Sequence, residues 1–403
     1  MITERDYLLF LAGINELGTV SLSTLIEHFG SARAVCKADA EEFKLLITGN
    51  MAEKLGQLLS GDDIEERVYR YKERIKEEGY GYIMLDDPEY PERLKSIIDP
   101  PRIIFYKGQP DILNMPYMIA MVGSRQATEY GREAAQHIAS GLAKAGVVVV
   151  SGLAYGIDTA SHKGAIKGGG KTIGVSGCGI NYIYPKGNEL LYRKMYEEHL
   201  VISENGLDIP SFAYNFPLRN RIISGLCQGT IVVEARERSG SLITADQALL
   251  QGRNIYAVPG RLNDPLSAGT NRLIRNGATL VDDVDVILED LMGVSQYEQH
   301  CANKEKKESL TGAVSGSRRN KVTNNNTGDN TSGGRICERG LLTQFSAAEE
   351  KIYECISSDP IFIDDIVKMS GIGLAMCIAG LIKLKSLGLV AEVERGYYQR
   401  TIR

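Results

Sequence analysis

The feature that most constrains this chain is a regular alternation of short apolar runs and helical stretches. The runs at 118–122 and 147–150 contain apolar residues alone, as expected of parallel strands buried on both faces of a sheet. The stretch between them, 128–145, carries its apolar residues on one helical face, and Gly146 is placed to end that helix. The pattern predicts a βαβ unit.

The same alternation continues beyond this unit. Two earlier strands, at 82–85 and 103–107, flank a turn with several prolines and are expected to lead into the sheet. Because parallel strands need crossover connections, we expect an α/β fold over residues 76–293, with an extended, Rossmann-like, doubly wound and mostly parallel sheet. Its further strands are predicted at 172–175, 201–204, 230–234, 255–258 and 279–281.

Residues 1–75 are predicted to form a helical domain, because short apolar stretches alternate there with Gly-containing turns. The pattern is typical of helix-hairpin-helix or SAM-like bundles and leaves two interpretations open. The domain contacts the DNA backbone, or it packs against the core or a partner. The turn at 13–15 has no basic residue beside it, which favours the second interpretation because backbone contacts rely on cations.

The C-terminal part changes texture twice. Residues 294–344 are polar and rich in Asn, Gly, Ser and Thr, so they are predicted to be a disordered linker. Residues 345–403 predict three short helices and a β-hairpin, as in a winged helix. The third helix begins with Leu374, Ala375 and Met376, whereas a groove-reading helix needs polar residues near its start. We therefore expect a protein-contact or regulatory module.

Charge and composition limit the cellular setting. The chain of 403 residues has 46 basic and 51 acidic side chains, a net charge of −5, so a surface for nucleic acid would have to be local. The N-terminus lacks a signal-peptide pattern, and the apolar runs are too short to span a membrane. The seven cysteines show neither zinc-ligand spacing nor a disulfide framework. We expect a cytoplasmic protein without a metal or membrane contacts.

Two glycine-containing turns follow directly after predicted strands. Gly123, Ser124 and Arg125 follow the strand at 118–122, and Gly152 follows the next strand. Glycine lets a ligand approach the backbone closely, and arginine offers a forked cation for phosphate. Since the carboxyl ends of parallel strands share one edge of the sheet, these turns are predicted to bind phosphates. The alternative for Arg125 is a structural link between turn and sheet.

Two later segments, YIYPKGN and FAYNFPLRNR, interleave aromatic and basic side chains. This mixture suits single-stranded nucleic acid, because bases stack on rings and cations follow the phosphates. A core position is the alternative for Tyr184 and Phe216. Two of the arginines lie two residues apart and are expected to point to different sides, so that one reaches the ligand while the other holds the loop. The candidate DNA-binding residues are Lys186, Asn188, Phe216, Arg219, Asn220 and Arg221.

Ser239, Gly240 and Ser241 precede another helix, where backbone amides could hold a phosphate or Ser241 could act only as an N-cap. The turns contain no convincing catalytic acid–base pair. Asp158 and His162 share a helical face, but no further metal ligand is near them. The sheet region also lacks the G-x-G-x-x-G turn of dinucleotide-binding proteins. We expect neither a cofactor nor an enzymatic activity.

Six segments in this order, over residues 80–292, carry a family resemblance: GSR, SGLAYGID, YPKGN, FPLRNRIISGL, SGSLITADQAL and AVPG…GTNRLI. The set resembles the DNA-processing protein A (DprA/Smf) family. The resemblance implies a cytoplasmic, dimeric protein that binds single-stranded DNA and loads a RecA-type recombinase during natural transformation, without enzymatic turnover. It also implies DNA-binding roles for the basic residues Arg125, Lys186, Arg219 and Arg221.

An enzyme is the alternative. Nucleotide phosphoribohydrolases of the lysine-decarboxylase-like family share a related Rossmann sheet and carry a PGGxGTxxE pattern. In this chain eight residues separate Pro259-Gly260 from Gly269-Thr270, and the glutamate of that pattern is missing. The sequence therefore favours the DNA-binding interpretation over the enzyme.

Overall fold

The chain forms two compact units, Met1–Ser317 and Arg318–Arg403. The predicted linker, 294–344, lies outside the residues that the structure describes, and none of the described helices is long and apolar enough to cross a membrane. The structure is a computed structural model that describes residues 2–14, 17–61, 63–293, 347–357, 360–370, 372, 377, 380–381, 383–385, 389–394 and 397–401.

The described part of the first unit is built on a nine-stranded sheet with the order β1-β2-β6-β5-β4-β3-β7-β8-β9. The pairs β1–β2 and β2–β6 are antiparallel, and all other neighbours are parallel. The mostly parallel α/β sheet predicted from the sequence is thus confirmed. Its strands are β1 (Gly81–Met84), β2 (Ile103–Gly108), β3 (Met118–Val122), β4 (Val148–Ser151), β5 (Thr172–Ser176), β6 (Leu200–Ser203), β7 (Gly229–Val232), β8 (Asn254–Ala257) and β9 (Thr279–Leu280).

Helices accompany both faces of this sheet. Alternate residues of β3 enter opposite cores, so that Ala120 packs in one and Ile119 and Met121 in the other. Burial on both faces explains why this strand is apolar throughout. The accompanying helices are α7 (Glu92–Lys95), α8 (Glu129–Lys144), α9 (Ile157–Lys167), α10 (Glu189–Glu198), α11 (Asn215–Gly225), α12 (Gly240–Leu250), α13 (Ala268–Arg275) and α14 (Asp285–Met292), with 3-10 turns at Pro110–Asn114 and Lys186–Asn188.

The strand order reverses at β3. From β3 the chain moves outward through β4, β5 and β6, and it then returns to place β7 against the other side of β3. The carboxyl ends of β3 and β7 are in register, with Val122 opposite Val232. In open α/β sheets such a reversal leaves a crevice outside the carboxyl ends of the two strands, where ligands bind.

Six helices precede the sheet and pack around a small core of their own, which includes Leu25 and Phe43. Leu9 and Ile75 instead share a cluster with Phe105 of the sheet, and Arg74 forms an ion pair with Asp208. The N-terminal helices are therefore joined to the sheet by a common core. They are α1 (Glu4–Ala12), α2 (Thr19–Phe29), α3 (Ala32–Lys37), α4 (Ala40–Phe43), α5 (Gly49–Leu59) and α6 (Ile64–Glu77).

The second unit contains a small antiparallel sheet with the order β10-β12-β11 among its described residues. The two strands predicted near the C-terminus are present as β11 and β12. Residues 374–376, at the predicted start of a third helix, lie outside the described residues. The described elements of this unit are α15 (Ala347–Glu354), β10 (Ile361–Phe362), α16 (Ile363–Ser370), β11 (Val390–Glu394) and β12 (Tyr397–Arg400).

Candidate nucleic-acid interface

A cavity of about 570 Å³ opens at the strand-order reversal. Its walls come from the turn after β3, the loop between β7 and α12, and the first turns of α11. The position agrees with the rule that ligands of doubly wound sheets bind where the strand order reverses. The predicted site residues that line the cavity are Gly123, Ser124, Arg125, Phe216, Arg219, Asn220, Ser239, Gly240 and Ser241.

The Gly123-Ser124-Arg125 turn is fixed by its backbone. The Ser124 amide donates to the Glu234 carbonyl oxygen over 2.9 Å, and the Ile157 amide donates to the Ser124 carbonyl oxygen over 3.2 Å. A Cβ at position 123 would approach Ile157 Cγ1 to 2.6 Å. Only glycine therefore fits this close contact between the turn and α9.

Arg125 leaves this fixed turn as an exposed side chain. Its guanidinium carbon lies 5.2 Å from the centre of the Phe216 ring. Among the described residues Arg125 forms no ion pair, so its donors face the solvent of the cavity. Stacking on an aromatic face leaves the edge of a guanidinium group available for a phosphate.

Phe216 is half-buried in the cavity wall. Its ring centre lies 5.6 Å from that of Tyr184, with an angle of 40° between the planes, and Tyr184 is also part of the wall. The sequence left a core position open for both rings. In the structure they border the cavity instead, where they form a surface on which bases could stack.

Arg219 lines the cavity, but its guanidinium group is turned inward. Its Nη1 atom donates to the Gly152 carbonyl oxygen over 2.8 Å and also to the Val175 carbonyl oxygen. Burial lowers the pKa of Arg219, and the nearby Asp158 opposes that shift. Arg219 therefore ties together the carboxyl ends of β4 and β5, and we assign it a structural role.

Arg221 lies outside the cavity. Its Nη1 and Nη2 atoms donate to Glu204 over 2.9 and 2.7 Å, and its Nε atom donates to the Asp99 carbonyl oxygen over 2.9 Å. The sequence analysis expected one of the paired arginines to reach the ligand. Because α11 turns both positions inward, both guanidinium groups donate to protein oxygens, and we leave both out of the proposed DNA contacts.

Three further candidates stand apart from the cavity walls. Gly152 accepts from Arg219 and has no room for a Cβ, which would come within 2.6 Å of that guanidinium group. Asn188 is buried, and its Nδ2 atom donates to the Leu153 carbonyl oxygen over 2.8 Å. Lys186 is exposed. Gly152 and Asn188 therefore shape the loops around the site, whereas Lys186 is available on the surface.

Ser239 caps α12. Its Oγ atom accepts from the Ser241 amide over 3.4 Å and lies 2.8 Å from Ser241 Oγ. The capping role anticipated for this segment belongs to Ser239 rather than Ser241. Asn220 Nδ2 donates to the Gly240 carbonyl oxygen over 3.5 Å. The exposed Gly240 is the first residue of α12 and lines the cavity, and a helix N-terminus favours anions.

Sequence reasoning missed two cavity residues, Arg236 and Arg238. Both follow β7, both line the cavity, and both are exposed. Among the described residues neither forms an ion pair. The sequence did contain a signal for them, since the segment EARERSGS carries two arginines directly after the apolar part of a predicted strand. With Arg125 they place three exposed guanidinium groups around one cavity.

Two carboxylates near the cavity, those of Glu234 and Asp158, accept hydrogen bonds within the protein. Glu234 accepts from the Thr128 amide over 2.9 Å and from its hydroxyl group. Asp158 accepts from the Ala154 amide over 3.3 Å, and burial raises its pKa, opposed by Arg219. His162 is buried on the inner side of α9, where its Nδ1 atom lies 2.7 Å from Thr172 Oγ1. Asp158 and His162 therefore face different surroundings despite their spacing.

Comparisons with known proteins agree with this architecture. The sequence model described as DNA recombination-mediator protein A matches residues 81–292. The chain is 44% identical over 216 residues to the DNA processing protein DprA of Bacillus subtilis, which covers 54% of this chain and 73% of that protein. It is 29% identical over 412 residues to Protein Smf of Synechocystis, covering 99% of both chains.

A solved structure shows the same likeness. The X-ray structure of DNA processing protein A from Streptococcus pneumoniae superposes with a TM-score of 0.57 and 35% identity, covering 71% of this chain and 97% of that one. The region matched by the family model, residues 81–292, contains the whole nine-stranded sheet and the cavity at its strand reversal. This chain belongs to the DNA recombination-mediator protein A family.

Proposed function

We propose that the cavity binds single-stranded DNA. The observation that carries the proposal is the group of three exposed arginines, Arg125, Arg236 and Arg238, around a cavity bordered by the Phe216 ring. Phosphates need cations that are not already paired, and bases need aromatic faces. These arginines and Phe216 supply both within one site.

The same arrangement favours a single strand over a duplex. The rings of Phe216 and Tyr184 lie at the cavity, where only unstacked bases can reach them. The arginines lie on turns and loops, and contacts to phosphates carry no information about base sequence. We therefore expect binding with little dependence on base sequence and a strong dependence on salt.

We propose binding without enzymatic turnover. A phosphoribohydrolase would need a free carboxylate beside the sugar, but Glu234 accepts from Thr128, the N-cap of α8, and Asp158 is buried against Arg219. The described cavity contains no other carboxylate among its lining residues. We also propose that the protein acts without a bound cofactor.

The wider role rests on family membership. We propose that the protein is a cytoplasmic dimer that protects incoming DNA and loads a RecA-type recombinase onto it in natural transformation. The relatives named DNA processing protein support the DNA-processing part of this role. Recombinase loading and dimer formation follow from the resemblance of the sequence to the family.

We further propose a domain organisation of 1–75, 76–293, 294–344 and 345–403. Helix α6 extends to Glu77, so the first boundary falls within its last turn. The helices before the sheet support a SAM-like or helix-hairpin-helix domain, and the three-stranded antiparallel sheet supports a C-terminal winged helix.

Salt-titrated binding to single-stranded and duplex DNA of the same length tests the proposal. Between about 50 and 200 mM salt, single-strand affinity should fall steeply because phosphate contacts release counterions. At every salt concentration the single strand should bind more tightly than the duplex. Equal affinity for the two forms would contradict the proposal.

A further inference from the structure

We propose that bases outside the cavity stack on a second surface, formed by Tyr155, Tyr182 and Tyr184. We call these residues the tyrosine shelf. The inference rests on the proposed binding of single-stranded DNA and extends the site beyond the arginines. A cavity of about 570 Å³ holds only a short stretch of a strand, so the remainder has to lie on the adjoining surface.

The three tyrosine side chains are exposed to solvent. Tyr155 is 48% exposed, Tyr182 38% and Tyr184 37%. Tyrosine normally buries most of its ring, because the aromatic face gains free energy on leaving water. Three such rings on neighbouring loops form an aromatic surface that a ligand could cover.

The exposure of two rings follows from the backbone. Residues 182–184 alternate in direction, so that Ile183 packs against the core that contains Leu153 and Tyr192. Tyr182 and Tyr184, on either side, then face outward. Ile183 thus anchors the segment while its neighbours present their rings to solvent.

Hydrogen bonds hold the shelf in place. The Tyr155 hydroxyl oxygen accepts from the Gly187 amide over 3.3 Å. The Tyr192 hydroxyl donates to the Tyr184 carbonyl oxygen over 3.0 Å, and Asn188 joins this segment to Leu153. A stacking surface that is already ordered binds more tightly, because less conformational entropy is lost on binding.

The shelf continues from the cavity. Tyr184 belongs to both surfaces, since it lines the cavity and its ring lies 5.6 Å from that of Phe216. Lys186 is exposed in the turn beside Gly187, which contacts Tyr155. A strand leaving the cavity over Tyr184 would therefore find further rings for its bases and a cation for its phosphates. Single-strand-binding proteins combine these two features.

A single tryptophan placed on the shelf gives the sharpest test, because the chain contains no tryptophan. We expect the tryptophan emission of Tyr182→Trp to be quenched when a labelled oligothymidine of about 20 nucleotides binds, as bases stack on the ring. DNA binding by this variant with unchanged emission would overturn the shelf and leave the proposed function intact. Absence of single-strand binding by the parent protein would instead refute the proposed function.

Alanine variants measure how much the shelf contributes. The double variant Tyr155→Ala/Tyr182→Ala should bind the same oligonucleotide at least about thirtyfold more weakly, whereas Tyr182→Phe, which keeps the ring, should lose much less affinity. Tyr69→Ala is the matched control, since Tyr69 is 51% exposed on α6 and lies outside both surfaces. Unchanged affinity of the double variant would contradict the proposal, and so would an equal loss in the control.

Discussion

The turn after β3 and the first turns of α11 both carry arginines from family motifs, yet the two regions hold them differently. Arg125 is exposed and contacts the face of an aromatic ring. Arg221 is 8% exposed and bonded to Glu204. The comparison teaches that the partners of an arginine, rather than the motif around it, decide whether the residue can bind a ligand.

Replacing Arg221 should produce the largest effect, a loss of folding stability. The absence of that loss would show that the two regions do not differ as described. Arg221→Ala removes the guanidinium group that donates to Glu204 and to the Asp99 carbonyl oxygen, and removing one member of a buried ion pair costs about 3–5 kcal/mol. We expect the free energy of unfolding, measured by urea denaturation, to fall by that amount. Arg125→Ala is the control and should change it by less than about 0.5 kcal/mol.

The contrary outcome for Arg221 is equally clear. If Arg221→Ala unfolded like the parent and lost part of the salt dependence of DNA binding, its guanidinium group would belong to the DNA-binding surface. The two regions would then have the same role, as the sequence alone suggested.

The next largest effect should be a loss of stability in acid, because a buried histidine resists protonation in the folded protein. Thr172 Oγ1 donates to the Val149 carbonyl oxygen over 2.6 Å, so it accepts from Nδ1 of His162, whose pKa burial lowers to about 3. In the unfolded chain the imidazole of this histidine is protonated near its ordinary pKa of about 6.5. Acid therefore favours the unfolded chain, and the free energy of unfolding decreases as the pH falls below about 6.5. Between neutral pH and pH 5 this histidine should lower the free energy of unfolding by about 2 kcal/mol, as measured by urea denaturation at both pH values.

Two histidine variants check the source of this acid effect. His162→Gln should reduce the loss of stability between neutral pH and pH 5. His137 is exposed on α8, and His137→Gln should leave the loss unchanged. An identical pH dependence in the parent and in His162→Gln would show that another group is responsible.

The smallest effect should come from removing the second unit. The lining residues of the cavity lie between Val122 and Thr244, so a chain ending at Met292 should keep its single-strand affinity within about tenfold, or 1.4 kcal/mol. Binding measured side by side with the full chain checks this. A larger loss would place part of the DNA-binding surface in the C-terminal unit.

Much of the fold could be predicted because local sequence patterns mark its strands and helices. The strands of the sheet lie within one or two residues of their predicted positions, since burial on both faces makes a parallel strand a continuous apolar run. The order of the strands in the sheet could not be predicted from local patterns. That β7 returns to lie against β3 depends on packing between distant segments.

The site shows the same division. The Gly123-Ser124-Arg125 turn could be predicted because it follows a strand directly, whereas the sequence placed the serine cap of α12 at Ser241 instead of Ser239. Arg236 and Arg238 were missed because their importance depends on β7 lying beside β3. The inward direction of Arg219 and Arg221 could not be foreseen, since their acceptors Gly152 and Glu204 lie elsewhere in the sequence.

The central claim is that three exposed arginines at the strand reversal hold the phosphates of a single strand. The variant Arg125→Ala/Arg236→Ala/Arg238→Ala tests it most directly, through the slope of the logarithm of affinity against the logarithm of salt concentration. The slope is negative, and each lost phosphate contact should reduce its magnitude by about 0.7, so we predict a slope less steep by about 2 with an unchanged unfolding midpoint. A slope equal to that of the parent would contradict it.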